Sequence, residues 1–126
     1  MMADSAHPIA VVIDDDPDAA EALAIVLRDL GADVVAGSSA TAILAQTCER
    51  TPLITWIVSD FDLGDETGIE SASALRRYAP GARVLILSGN IVGAAAKAAA
   101  AAGFDTMEKP ATAAAIAAWL DLASLR

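Results

Sequence analysis

Two tight acidic groups stand out, Asp14-Asp15-Asp16 and Asp60-Phe61-Asp62, each directly following an aliphatic run. Two further polar groups end similar runs: Ser88-Gly89 and Glu108-Lys109-Pro110. Carboxylates supply hard oxygen ligands and a nucleophile, a hydroxyl supplies a hydrogen bond, and an ammonium neutralises an anion. Taken singly, each group has an ordinary reading. An acidic pair after a strand is usually solvated loop, Ser88 reads as a strand-end cap, and Lys109 as a solvated charge. Asp16 is best explained as a helix N-cap, with Pro17 at the first helical position.

The elements around these residues decide whether they meet. Apolar, β-rich runs occur at Ile9–Ile13, Val34–Ala36, Ile54–Val58, Val84–Leu87 and Phe104–Met107. Their near-continuous apolar character suits strands buried on both faces of a parallel sheet. Helical patterns alternate with them at Pro17–Leu30, Ser39–Arg50, Gly68–Tyr78, Ile91–Ala102 and Ala111–Leu125. In the first, Ala20, Leu23, Leu27 and Leu30 share a face; in the last, Ile116, Trp119, Leu120 and Ala123 do. Five β-then-α units predict an α/β protein: a flavodoxin-like (βα)5 doubly wound parallel sheet with strand order 2-1-3-4-5. Its ligand site lies at the carboxyl ends of the strands, where all four polar groups fall. Asp14, Asp15 and Asp60 should therefore converge. Two carboxylates about 4 Å apart repel by roughly 4 kcal/mol at an effective dielectric near 20. Such a cluster calls for a cation or for shifted pKa values, and oxygen ligands with room for water suit Mg²⁺.

Composition narrows the classes. The chain has 126 residues, 56% of them apolar, which is enough for one core. Alanine is abundant and aromatics few, so an aliphatic core is expected. Residues 1–7 read as a mobile tail and 8–126 as a single domain, with no role assigned to His7. With 8 basic against 17 acidic residues, the net charge of −9 disfavours direct nucleic-acid binding. No apolar run approaches membrane-spanning length and no signal segment is evident, so a soluble, cytoplasmic protein is expected. Cys48 is alone, excludes an internal disulfide, and is expected to be a small buried hydrophobe on a helix.

From Ile9 onward the sequence resembles the receiver domains of bacterial two-component signalling. The resemblance rests on Val12-Ile13-Asp14-Asp15-Asp16-Pro17, Ile57-Val58-Ser59-Asp60, Gly68-Ile69-Glu70, Leu85-Ile86-Leu87-Ser88-Gly89 and Glu108-Lys109-Pro110. It implies that Asp60 accepts a phosphoryl group from a histidine kinase or histidine phosphotransfer protein. It further implies that Asp15 binds Mg²⁺ directly, Asp14 largely through water, and Asp62 through its backbone carbonyl. Lys109 would contact the acyl phosphate, with a cis peptide bond to Pro110, and Ser88 would bind a phosphate oxygen and swing inward on modification. The chain would be a signalling module rather than an enzyme, acting on a downstream protein without an output domain of its own. It would be either a stand-alone regulator or the receiver of a hybrid kinase. The donor would dock on the first helix around Ala19, Ala20 and Leu23, and output would use helix 4, strand 5 and helix 5.

Three departures from the family pattern bear on function. Thr106 occupies the place of the usual aromatic switch residue, and Phe104 lies two residues earlier. Gly64 replaces a common proline, which suggests a freer loop after the acceptor. Asp62 adds a carboxylate near the metal, and together with Asn90 it is expected to tune the phosphate lifetime. The alanine-rich fourth helix has few large anchors, which is compatible either with marginal docking and a shift on activation or with an ordinary well-packed alanine helix. The missing aromatic at Thr106 and Gly64 sustain a second reading, a receiver-like interaction domain that does not cycle phosphate. A third, a phosphatase of the haloacid-dehalogenase type, draws on Asp60-Phe61-Asp62 but has its paired acids upstream instead of downstream.

Overall fold

The computed structural model describes residues 7–90 and 93–124. The elements are β1 (Ile9–Ile13), α1 (Pro17–Asp29), β2 (Asp33–Gly37), α2 (Ala40–Thr47), a 3₁₀ helix (Cys48–Leu53), β3 (Ile54–Asp60), α3 (Gly68–Arg76), β4 (Arg83–Ser88), α4 (Gly93–Ala101), β5 (Asp105–Glu108) and α5 (Ala113–Ser124). Five parallel strands form one sheet in the order β2-β1-β3-β4-β5, as the β–α alternation predicts. The residues of the expected tail before His7, the first two of the expected fourth helix, and the side chain of Ala123 lie outside the described residues.

Strand periodicity sorts the apolar side chains into two layers. Ile9, Val11 and Ile13 of β1 join Ile43 of α2, Leu75 of α3 and Ala99 of α4 in one cluster. Ala10 and Val12 face the other way, joining Ala20 and Leu27 of α1 and Ile116, Trp119 and Leu120 of α5. The core is not purely aliphatic: Trp56, Phe104 and Trp119 are all buried. Trp56 is opposite Ala10 in the β1–β3 register, so a large and a small side chain share the space. Trp119 also donates its indole N–H to Asp105 (2.8 Å), and Arg83 lies 3.6 Å from the same carboxylate oxygen, tying α5 to the sheet.

Local chemistry sets several boundaries. Asp16 caps α1, its carboxylate accepting from the N–H groups of Asp18 and Ala19, with Pro17 next in line. Thr67 and Glu70 form a reciprocal capping box at the start of α3. α2 is shorter than its sequence pattern: it ends at Thr47 and tightens into the 3₁₀ helix, which contains Pro52. The turn is held by the Thr47 hydroxyl, bonded to the Ile43 carbonyl (3.0 Å) and to Thr51 (2.6 Å). Cys48 does not fit the buried-hydrophobe expectation. It closes α2 at φ +50°, which turns its side chain outward into an exposed position.

Candidate functional site

β1 and β3 are neighbours, with Ile13 opposite Ser59, so the chain leaves both strands at the same edge of the sheet. One carboxylate oxygen from each of Asp14, Asp15 and Asp60 lies within 4.8 Å of the others. Asp60 ends β3 and is only 9% exposed, Asp14 is half-buried and Asp15 is exposed, so the group grades from the sheet outward. Asp14 is tied at both ends: its N–H donates to Gly37, and its Oδ1 accepts from the Asp16 N–H (2.9 Å).

Lys109 arrives from two strands away. Its N–H donates to the Ser88 carbonyl (2.8 Å), continuing the β4–β5 ladder, and its Nζ lies 2.5 Å from Oδ1 of Asp60. The Lys109–Pro110 peptide bond is cis. The Asp60 hydrogen bond holds the Lys109 ammonium above its ordinary pKa, opposing the effect of burial, and the fields of Asp60, Asp14 and Asp15 act in the same direction.

Burial raises the Asp14 carboxyl above the ordinary aspartate value, the Asp16 N–H and Lys109 oppose it, and Asp60 and Asp15 add to it. A carboxyl with a raised folded pKa binds protons better in the native state. Native stability therefore falls as pH rises from the unfolded value through the folded one. Asp14→Asn keeps an oxygen for the Asp16 N–H and removes this penalty. Without divalent cations it is expected to stabilise the chain slightly near neutral pH, the effect kept small by solvent screening. The gain should vanish near pH 3. Urea midpoints for both proteins at the two pH values test this, and a gain that persists in acid would contradict the electrostatic account.

Ser88 is half-buried, and its hydroxyl lies 3.2 Å from the donating Asn90 N–H and 3.3 Å from the Asn90 carbonyl. The Asp62 side chain is exposed and accepts from the Gly64 N–H (3.1 Å), outside the three-carboxylate group. The loop is not slack as expected from Gly64. Asp62 bridges Thr67, Leu63 donates to Glu66, and Gly64 sits at φ +84°. Proline there would lose the N–H and could not adopt that angle. Thr106 pairs with Ile86 and is exposed. Phe104 is buried before β5 begins, its N–H bonded to Ala99, and at the usual strand rise it lies about 13 Å from Glu108 along the chain. It cannot stand in for an aromatic at position 106.

Sequence reasoning overlooked how closely α3 is pressed against the acceptor strand. A Cβ on Gly68 would lie 2.0 Å from the Asp60 carbonyl oxygen and 2.8 Å from Ser59 Oγ. The Gly68 N–H donates to Phe61 (2.6 Å). The capping box Thr67-x-x-Glu70 was the available signal, since it places the first turn of α3 at this residue.

Beside the acids, Ala19, Ala22, Leu23 and Val26 of α1 face Pro110, Ala111 and Ile116 across a groove of about 410 Å³, with Asp14 and Lys109 at its mouth. Ala19 and Leu23 thus lie where a docking face was expected. Ala20 does not, because the helical turn carries it into the core at 6% exposure.

A five-stranded parallel sheet in this order, with three carboxylates that could hold a metal ion and a lysine at its carboxyl edge, defines the class: a flavodoxin-like α/β domain with an acidic pocket. The particular family follows from the sequence match: residues 10–121 match the response regulator receiver domain, and the chain belongs to that family. It is therefore a receiver and not a conventional enzyme, which removes the phosphatase reading. Among solved structures, Vibrio cholerae chemotaxis protein CheY4 is 20% identical, with a TM-score of 0.81 over 94% of this chain and 99% of its own. A receiver domain protein from Clostridium thermocellum is 23% identical, with a TM-score of 0.77 over 92% and 93%. A response regulator from Burkholderia pseudomallei, solved with a phosphorylated aspartic acid and a calcium ion, is 25% identical, with a TM-score of 0.74 over 93% and 72%. No curated protein gives a significant match. Among the described residues, no helix is long and apolar enough to cross a membrane.

Proposed function

We propose that this chain is a phosphorylatable receiver, one domain over residues 8–126, taking a phosphoryl group onto Asp60 from a histidine kinase or histidine phosphotransfer protein. The observation that carries the reading is the meeting of Asp14, Asp15 and Asp60 with Lys109 bonded to Asp60. An Asp60 carboxylate oxygen forms the new bond to phosphorus as the bond to the donor breaks, the donor leaving with the electron pair. Lys109 then contacts a phosphoryl oxygen and compensates its charge. The donor seats along Ala19 and Leu23 of α1, where the groove opens beside Asp14 and Lys109. The phosphorylated aspartate and cation of the Burkholderia relative support this assignment.

The donor set fits a small divalent cation: three carboxylate oxygens on one side, with an exposed Asp15 leaving access for water. Asp14, Asp15, Asp60 and the Asp62 backbone carbonyl would hold Mg²⁺, which when bound neutralises phosphoryl oxygens. Ser88 turns from Asn90 towards the phosphoryl group, and Asp62 and Asn90 set its lifetime. Thr106 is too small to act as an aromatic switch, so signalling passes through α4, in which Ala99 alone among the described residues is buried. The output is a protein contact made in the cytoplasm, with no nucleic acid or membrane bound directly.

Intact-mass analysis after incubation with acetyl phosphate and Mg²⁺ tests the reading. One added phosphoryl group is expected. None, on folded protein, would leave a receiver that only binds partners. Mg²⁺ should also stabilise the fold, by about 2.7 kcal/mol at a concentration one hundred times its Kd. Thermal melts with Mg²⁺ and with EDTA measure this, and coincident melts would count against the metal assignment.

A further inference from the structure

The end of the sheet remote from Asp60 carries a second charged feature. Ser73, Arg76 and Arg77 of α3, with Ala102 and Phe104, line an open notch of about 310 Å³. Arg76 places its guanidinium carbon 5.9 Å from the centre of the Phe104 ring. Its Nη2 makes a long 3.4 Å bond to the Pro80 carbonyl, while its buried Nε has no hydrogen-bond partner among the described residues. Among the described residues, no carboxylate lies within 4 Å of the Arg76 or Arg77 guanidinium, although the chain has more than twice as many acids as bases. Cations at a helix C-terminus are ordinary, being favoured by the helix dipole. The dipole does not account for two guanidinium groups lining one open notch with no carboxylate partner among the described residues.

We propose that this notch receives an aspartate or glutamate side chain of a partner protein, clamped by Arg76 and Arg77 over the Phe104 ring. The planar guanidinium matches a carboxylate through paired N–H donors and can at the same time lie against an aromatic face. The notch is small and open, which suits a single side chain presented by a protein surface. In a chain of charge −9 it is also a local reversal of sign, so an acidic partner repelled elsewhere is directed here. α3 begins against Asp60 and ends at the notch about 13 Å further on, so the contact leaves the acceptor open. Ala102, directly after α4, gives the partner a contact beside the loosely anchored helix.

Titration of ¹⁵N-labelled full chain with hexaglutamate at fixed ionic strength, followed by NMR, tests the proposal; hexaglutamine and inorganic phosphate serve as parallel probes. Hexaglutamate is expected to shift the Arg76 Nε–H and the Ala102 and Phe104 amide signals saturably, with hexaglutamine leaving them in place. Arg77→Gln changes an exposed side chain, so its amide spectrum should remain that of the folded chain while hexaglutamate binds about tenfold more weakly. Three results would each overturn the proposal: no saturable shift with hexaglutamate, unchanged affinity in Arg77→Gln, or inorganic phosphate binding as tightly as the peptide. The last would assign the notch to small anions. None depends on whether Asp60 is phosphorylated.

Discussion

Asn at position 60 is expected to leave the chain folded and to abolish phosphoryl uptake from acetyl phosphate. The two side chains have nearly the same shape, and the amide oxygen can still accept from Lys109, which lies 2.5 Å from Oδ1 in the native protein. What is lost is a carboxylate able to bond to phosphorus, since a neutral amide is a far poorer nucleophile. Asp14 and Asp15 stay nearby and are the obvious substitutes. Neither has the Asp60 combination of deep burial and a direct lysine contact, so neither should replace it. Removing a nucleophile outright lowers rates by at least about 10³-fold. Parallel intact-mass time courses of the wild type and Asp60→Asn measure the effect. Phosphate accumulating on the variant at a comparable rate would place the acceptor elsewhere in the acidic group.

The largest loss of stability is expected from Gly68→Ala. In an exposed helix interior this change is usually favourable, because alanine has the better helix propensity. Here the added methyl would lie 2.0 Å from the Asp60 carbonyl oxygen and 2.8 Å from the Asp60 carbonyl carbon, both backbone atoms that no side-chain rotation can clear. Either α3 retreats from β3, breaking the Gly68-to-Phe61 hydrogen bond, or the end of β3 shifts and takes Asp60 with it. Overpacking of this kind costs about 3 kcal/mol or more. Gly81→Ala is the control, since a Cβ there meets nothing within 4 Å, and it should change stability by less than about 0.5 kcal/mol. Urea denaturation of the two variants separates these outcomes, and equal midpoints would show that the contact yields easily. Reduced phosphoryl uptake in whatever Gly68→Ala remains folded would connect the packing of α3 to the geometry of Asp60.

Much of the architecture is legible in short stretches of sequence because the forces that specify it act over a few residues. Continuous apolar runs mark β1, β3 and β4, which are covered on both faces, whereas the edge strands β2 and β5 are partly exposed. Asp16-Pro17 marks a helix start, and strand ends followed by Asp14, Asp15 and Asp60 place the acids at one edge once the strand order is chosen. The register of β1 on β3 and the family match agree with that reading. Tertiary packing decided what no local window contains. Lys109 lies 49 residues after Asp60 in sequence and meets it only because β4 spans the gap between their strands. Cys48 turned outward because the chain leaves α2 there at positive φ, whatever its hydrophobicity, whereas the inward turn of Ala20 agrees with the apolar face it shares with Leu27. Gly64 met a requirement for positive φ where composition suggested slack, and Gly68 met a steric limit imposed by another strand. Periodicity and capping are local and survive in the sequence as patterns, whereas contacts across the sheet depend on where distant segments come to rest.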